Sequence, residues 1–203
     1  MSIYDRISFI YDWLTISERP YRELALELLD LQPGESILEI GCGTGQTLLS
    51  LAAAAGDQGR VVGLDLSPGM LQQSRTKLGR DRGDTISLLR GSGLHLPLEA
   101  NSFDALFMSF TLELFSLEEQ HNVLGEARRV LKENGRIGLV TLATFSQSFS
   151  LSLYQSLHEF FPAVIDCRPI DPAPLLSAAG FIVSRQEDRS MFGLPLSIIV
   201  AGL

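Results

Sequence analysis

Four residues at alternate positions, Glu39, Gly41, Gly43 and Gly45, carry the first sign of chemistry in this chain. They follow the apolar run Ser36-Ile37-Leu38-Glu39-Ile40, enclose Cys42 and Thr44, and lead into Leu48, Leu49, Leu51, Ala52 and Ala55 at helical spacing. This predicts a strand, a glycine turn and a helix. Glycine tolerates positive φ and lets a ligand approach the backbone, while the free N–H groups at a helix start face whatever lies in the crevice. A second apolar run, Arg60-Val61-Val62-Gly63-Leu64, ends in Asp65. In successive parallel strands both carboxyl ends lie on one sheet edge, where a carboxylate can accept both hydroxyls of a ribose. The pattern points to a ligand that carries a nucleoside.

Two other readings of these residues stand beside that one. The dinucleotide fingerprint G-x-G-x-x-G needs its third glycine at position 46, and this chain has Gln46 there. Asp65 could also act as a cap for the helix that Ser67-Pro68 opens, with Ser67 as N-cap and Pro68 in the first turn.

Further apolar runs, turns and caps frame these groups. Tyr21, Leu24, Ala25, Leu28 and Leu29 predict a helix that stops before Pro33-Gly34. Thr85–Leu89 predicts a third strand, followed by Arg90-Gly91-Ser92-Gly93-Leu94-His95-Leu96-Pro97-Leu98 and, after Asn101-Ser102-Phe103-Asp104, a fourth strand over Ala105–Ser109. Ser116-Leu117-Glu118-Glu119 is a capping box, opening a helix with Val123, Leu124, Ala127, Val130 and Leu131 on its apolar face. Glu133-Asn134-Gly135-Arg136 ends that helix and turns into a fifth strand, Ile137–Leu142. The proline-rich Cys167–Pro174 leads to a short helix ending at Gly180, and Phe181–Gln186 and Pro195–Ala201 form a closing hairpin around Phe192-Gly193.

The Gly-x-Gly-x-Gly spacing after Glu39, the Leu96-Pro97-Leu98 and Asn101-Ser102-Phe103-Asp104 phrases, and Ala127–Arg136 resemble, in this order, the class I S-adenosylmethionine-dependent methyltransferases. The branch they resemble is the one of menaquinone and ubiquinone biosynthesis. The resemblance is densest from Leu38 to Leu139. It implies a Rossmann-like α/β fold: a seven-stranded, mostly parallel sheet with helices on both faces and the last strand antiparallel. It also implies S-adenosyl-L-methionine as cofactor. Residue by residue, Glu39, Gly41, Cys42, Gly43 and Gly45 would shape the methionine and ribose region, and Asp65 would take the ribose hydroxyls. Leu66 and Met70 would flank the adenine or enter the core, Ser92-Gly93-Leu94 would read the adenine edge, and Ser109 and Phe110 would lie beneath the transferred methyl. Ser92 departs from the pattern, because relatives usually carry an aspartate there. A neutral hydroxyl accepts the adenine amino group more weakly than a charged carboxylate. Asn134 also departs, replacing a more usual Pro or Gly.

Composition bounds the rest. With 203 residues, 45% of them hydrophobic, the chain suits one domain with a sizeable core. Within it we expect a helical cap over residues 1–32, a cofactor-binding core over 36–142, and a variable acceptor region with a closing hairpin over 143–203. The net charge of −8 and the absence of a basic cluster beyond Arg75–Arg82 argue against nucleic acid as a partner. No apolar run is long enough to span a bilayer and no signal peptide is evident, so the expected location is the cytoplasm. Cys42 and Cys167 stand apart, without the pairing of a metal or redox centre, and no metal is expected.

Two stretches bear on the acceptor. Tyr4-Asp5 and Tyr11-Asp12 resemble the N-terminal segment of quinone- and phospholipid-methylating relatives, with a plain amphipathic helix as the alternative. Phe145, Phe149, Tyr154, Phe160 and Phe161 enrich the variable region in aromatics, which suits either packing on the sheet or a pocket for an apolar acceptor. The expected partner is therefore a small, lipophilic molecule, a quinone precursor or phospholipid-like acceptor, which would bring the protein to a membrane surface from outside it. Monomer and homodimer both remain open. Methyl transfer from a sulfonium needs alignment more than a catalytic side chain, so no catalytic residue is assigned. Where the acceptor needs a base, the candidates are His95, Glu113, His121 and His158. Arg128 and Arg129 read as helix surface and ion-pair partners. Two other functions fit the glycine loop: a non-catalytic cofactor-binding or interaction module, and an NAD-dependent oxidoreductase.

Overall fold

The alternation of short apolar runs with amphipathic stretches produces a βα repeat followed by a hairpin. The structure, a computed structural model, describes residues 17–79, 85–144 and 169–203. A helix over residues 17–29 (α1) precedes β1 (Ser36–Ile40), α2 (Leu48–Ala55), β2 (Arg60–Asp65), α3 (Pro68–Leu78), β3 (Ile86–Arg90) and β4 (Phe103–Ser109). A single 3-10 turn (Leu112–Leu114), α4 (Leu117–Val130), β5 (Leu131–Leu142), α5 (Pro172–Ala178), β6 (Ile182–Met191) and β7 (Leu194–Gly202) complete it.

The seven strands form one sheet in the order β3-β2-β1-β4-β5-β7-β6. Strands β1 to β5 pair in parallel, and β7 runs antiparallel to both β5 and β6. The order reverses between β1 and β4, the switch point at which open α/β sheets leave a crevice beyond their carboxyl ends. The fold expected from the sequence is thus the fold observed. At the hairpin tip Phe192 and Gly193 both have positive φ, +52° and +81°, the geometry that matches the twist of the two flanking strands.

Period-two alternation sends each central strand's side chains to two cores. Ile37, Val61, Ala105 and Phe107 meet α1 and α2 through Leu29, Leu48 and Leu51. Leu38, Ile40, Leu106 and Met108 meet α4 and α5 through Val123, Leu124, Ala127 and Leu176. Arg136, at the start of the regular part of β5, ties α1 to the sheet. Its guanidinium donates to both carboxylate oxygens of Glu35 (2.8 and 2.9 Å) and to the carbonyls of Leu29 (2.6 Å) and Asp30 (2.7 Å) at the helix end.

The capping box of α4 forms as expected: Ser116 Oγ accepts from Glu119 N–H while the Glu119 carboxylate accepts from Ser116 N–H. The helix stops at Val130, three residues earlier than the sequence suggested, and Leu131 is already extended and paired with Phe103. Backbone N–H groups of Asn101 and Ser102 take the carbonyls of Arg129 (3.0 Å) and Val130 (2.8 Å), which a further helical turn would have needed. The register then jumps from Leu131 to Arg136, and Asn134-Gly135 turns within that excursion. Among the described residues, no helix is long and apolar enough to cross a membrane. The N-terminal tyrosines, the aromatic run 145–161, His158, Cys167 and the end of the Arg75–Arg82 run lie outside the described residues.

Candidate cofactor site

The glycine loop is pinned to the end of β2. Gly41 N–H and Cys42 N–H both donate to the Leu64 carbonyl, at 2.8 and 3.1 Å, and Gly45 N–H donates to Cys42 O at 2.8 Å. Gly41 has φ +76°, and a Cβ there would run into the Thr111 side chain. Gly45, also at φ +76°, presses on Ser74 of α3 in the same way. Both positions therefore require glycine on two counts, backbone conformation and space. Cys42 is buried and unpaired by any disulfide, and burial pushes its thiol pKa up. It is a packing residue of the loop, not a poised nucleophile.

Asp65 holds the loop from the other side. Its Oδ2 accepts from Gly43 N–H and its Oδ1 from Ser67 N–H, both at 2.8 Å. One carboxylate thus fastens the glycine loop and the entry to α3, whose N-cap is Ser67, with Oγ accepting from Met70 N–H at 3.3 Å. The capping role and the edge position both apply to Asp65. An ionised carboxylate has about four acceptor sites, so two backbone bonds leave capacity for a diol. Leu66, next along, is 66% exposed, which removes the core alternative for it, and Met70 is half-buried.

Glu39 points to the α1 side of the sheet and is 3% exposed. Burial pushes its carboxyl up to about 8, against the opposing pull of a Thr47 hydrogen bond and the Arg22 charge. Its Oε2 has no hydrogen-bond partner among the described residues. Such an atom costs free energy unless something else satisfies it. It lies in a small cleft whose wall comprises Gly41, Gly43, Thr44, Gln46, Ser109 and, from α1, Glu18 and Arg22. Glu18 and Arg22 pair at 2.7 Å with side chains 18% and 10% exposed. Burial raises Glu18 to about 6 despite that pairing. Neither residue stood out in the sequence: α1 also carries Arg19–Glu23 at the same four-residue spacing, and that pair is exposed, so spacing alone does not single out Glu18 and Arg22.

The end of β4 forms the floor. Ser109 carries a buried hydroxyl without a partner among the described residues, and its carbonyl accepts from Thr111 Oγ1 at 2.9 Å. Phe110 has φ +50°, uncommon for a bulky residue, and its N–H is held by Val140 O at 2.8 Å. Strain of this kind survives where the surroundings over-determine it, and it clusters at functional sites. The chain then winds Glu113 inward across the end of β5. Glu113 is fully buried, its Oε1 accepts from Leu142 N–H at 3.0 Å, and its Oε2 has no partner among the described residues. Burial lifts its pKa to about 7, and the Glu18 charge adds to the rise.

The stretch after β3 completes the nucleoside side. Gly91 N–H donates to Asp65 O at 3.1 Å, so this stretch starts from the same edge. Ser92 and His95 bridge to each other, and the Ser92 hydroxyl accepts from Leu94 N–H at 3.3 Å. That bond leaves the hydroxyl another lone pair and its own proton. Gly93 is buried close to Ile40, Phe115 and Val123. Leu94 packs at the margin of the α4-side core. Arg129, read from the sequence as helix surface and an ion-pair partner, does pair with Glu126 and in addition donates to the carbonyls of Leu96 and Leu98. His95 and His121 are exposed, and His121 Nδ1 is engaged with Leu117 O at 2.7 Å.

These residues suit S-adenosyl-L-methionine on three structural grounds: a buried carboxyl oxygen left without a partner among the described residues in the small cleft beside the glycine loop, spare acceptor capacity on Asp65, and glycines where a Cβ would collide. Comparison with known proteins agrees. Residues 37–135 match the family model described as a methyltransferase domain. A demethylmenaquinone methyltransferase of Bacillus cereus (strain B4264) is 34% identical over 140 residues, which is 66% of this chain and 58% of that protein. The chain thus spans less than two thirds of the length of the curated relatives it matches. An S-adenosylmethionine-dependent methyltransferase from Aquifex aeolicus superposes with TM-score 0.66 at 20% identity, covering 89% of this chain and 88% of that one. One from Methanosarcina mazei does so with TM-score 0.68 at 21% identity, covering 85% and 94%. Sheet order, glycine loop and sequence kinship converge: residues 37–135 match a methyltransferase domain, the fold is that of S-adenosylmethionine-dependent methyltransferases, and the sequence resembles their menaquinone-methyltransferase branch.

Proposed function

We propose that the protein transfers the methyl group of S-adenosyl-L-methionine to a small lipophilic acceptor of the quinone-precursor or phospholipid type, working from the cytoplasm at a membrane surface. The observation that carries this reading is the Asp65 carboxylate, which clasps the glycine loop at the switch-point edge and still has acceptor capacity to spare. When bound, the cofactor supplies an activated methyl on a positively charged sulfur. Asp65 accepts the ribose hydroxyls, while Leu66 and Met70 flank the base. Ser92, Gly93 and Leu94 meet its edge. Glu39 and the loop Gly41-Cys42-Gly43-Thr44-Gly45 receive the amino-acid end, and Ser109 and Phe110 support the methyl from below. Likeness to the demethylmenaquinone methyltransferase of Bacillus cereus supports a quinol-like acceptor.

Alignment and exclusion of water are what the chain contributes to the displacement, and well-aligned reactants gain about 7–11 kcal/mol of the barrier this way. For an acceptor bearing a hydroxyl, Glu113 is the base we assign. It sits beyond the end of β4, has a free oxygen, and titrates near working pH, where a base is most effective. His95 and His121 are exposed instead.

Calorimetric titration with S-adenosylmethionine and S-adenosylhomocysteine, with NADH as control, tests the cofactor. Incubation of reduced demethylmenaquinone with methyl-labelled S-adenosylmethionine tests the acceptor. Micromolar binding of both sulfur compounds but not NADH, with label in the quinol, is expected. Binding without transfer to any lipophilic quinol or phospholipid would move the protein to the non-catalytic reading, and NADH binding would overturn the family's chemistry for this chain.

A further inference from the structure

The stretch between β3 and β4 is anchored at two places, and the second anchor is a pair of charged side chains on α4. Glu126 Oε2 accepts from Leu96 N–H at 2.7 Å. Arg129 donates through Nη2 to Leu96 O (3.0 Å) and through Nη1 to Leu98 O (2.8 Å). The pair is closed by Arg129 Nε to Glu126 Oε1 (2.7 Å) and Nη2 to Glu126 Oε2 (2.8 Å). Leu96 is therefore held by both its N–H and its carbonyl.

An exposed ion pair alone is worth little. This one differs because a planar guanidinium spans two carbonyls and a carboxylate at once, which a lysine ammonium, a single point charge, cannot reproduce. The first anchor is at the other end, where Gly91 N–H meets Asp65 O. Between the two lies the turn Ser92–His95, and α4 also supplies Val123 behind Gly93. Fixing residues 96 and 98 from α4 thus fixes how far the turn stands from Asp65.

We propose that Arg129 and Glu126 are positioning residues for the nucleoside end of the site: by clamping Leu96 and Leu98 to α4 they set the 92–95 turn at the one distance from Asp65 at which it distinguishes adenine from other bases. This rests on the S-adenosylmethionine reading above. Neither side chain touches the cofactor in this account, so both act through the turn.

The test is calorimetric titration of wild type, Arg129→Met, Arg129→Lys and Glu126→Gln with S-adenosylhomocysteine and S-inosylhomocysteine, combined with amide exchange at residues 92–98. In Arg129→Met we expect adenosyl affinity to fall by about tenfold, the adenosyl-to-inosyl preference to shrink, and exchange at Leu96 to accelerate. Arg129→Lys keeps the charge and fails to restore the preference. Glu126→Gln keeps one acceptor oxygen for Leu96 N–H and loses less. A variant that weakens both ligands equally, leaving the preference intact, overturns the positioning role while the cofactor assignment stands. Unchanged affinities in all three variants overturn it as well. If wild type binds neither ligand, the cofactor reading falls and this inference falls with it.

Discussion

Glu113 offers the sharpest check on the electrostatics of the site. Its carboxyl titrates at 4.5 when unperturbed and at about 7 in the folded chain, because burial disfavours the charge. For a folded-state pKa raised in this way, the native state holds the proton more tightly than the unfolded chain. The resulting stabilisation is complete below pH 4.5, declines as pH rises, and is gone above about 7. At about 1.4 kcal/mol per pH unit of separation, the loss over that window is about 3 kcal/mol. Glu113→Gln places a neutral side chain of the same shape there and removes this slope. Thermal or urea unfolding of both proteins from pH 4.5 to 8.5 measures the difference between them. Glu39, which titrates at about 8, contributes to both curves and cancels in the difference. The variant should gain on wild type by about 3 kcal/mol between pH 4.5 and 7, with no further change above, and each kcal/mol corresponds to about 2–4 °C in Tm for a chain of this size. Parallel stability curves for the two proteins would refute the argument, because they would mean that the carboxyl is solvated or already paired with a proton donor.

Two substitutions at the nucleoside end follow from the same geometry. Asp65→Ala removes a charged acceptor from two backbone N–H groups as well as from the ribose, so S-adenosylhomocysteine binding should weaken by about 1.5–3 kcal/mol in calorimetry and the loop should lose stability; an unchanged dissociation constant sinks the ribose assignment. Ser92→Asp keeps an acceptor for Leu94 N–H and adds a charge for the adenine amino group, so the same ligand should bind several-fold tighter; weaker binding would mean that this turn follows a different path past the base.

The local parts of this architecture were legible in the sequence. The glycine turn, the Ser116–Glu119 capping box and the Phe192-Gly193 hairpin each depend on a handful of adjacent residues, and backbone sterics enforce them wherever they occur. What escaped the sequence were contacts made across the fold. Arg136 straps α1 from over a hundred positions away, and Arg129 reaches Leu96 across 33. A cation on a helix reads as solvated until the loop that it meets is in view. The early end of α4 has the same origin, since its last carbonyls are taken by Asn101 and Ser102 from the far side of β4. Glu18 and Arg22 became visible only when α1 was laid against the glycine loop.

The two hydrogen bonds that Asp65 accepts, from Gly43 N–H and Ser67 N–H, bear on how descent would be recorded in this chain. A glutamate is a methylene too long to meet both N–H groups, and an asparagine offers only one oxygen to two donors. Folding alone therefore selects for aspartate at this position, whether or not a ribose ever binds. A descendant that abandoned its cofactor would keep Asp65 for the sake of the loop. Glu39 is different: its second oxygen finds no partner among the described residues, and its burial is a cost. Drift would replace it with glutamine or a hydrophobic residue once no ligand depended on it. In a set of relatives, the glutamate at 39 rather than the aspartate at 65 would mark the copies that still use the site.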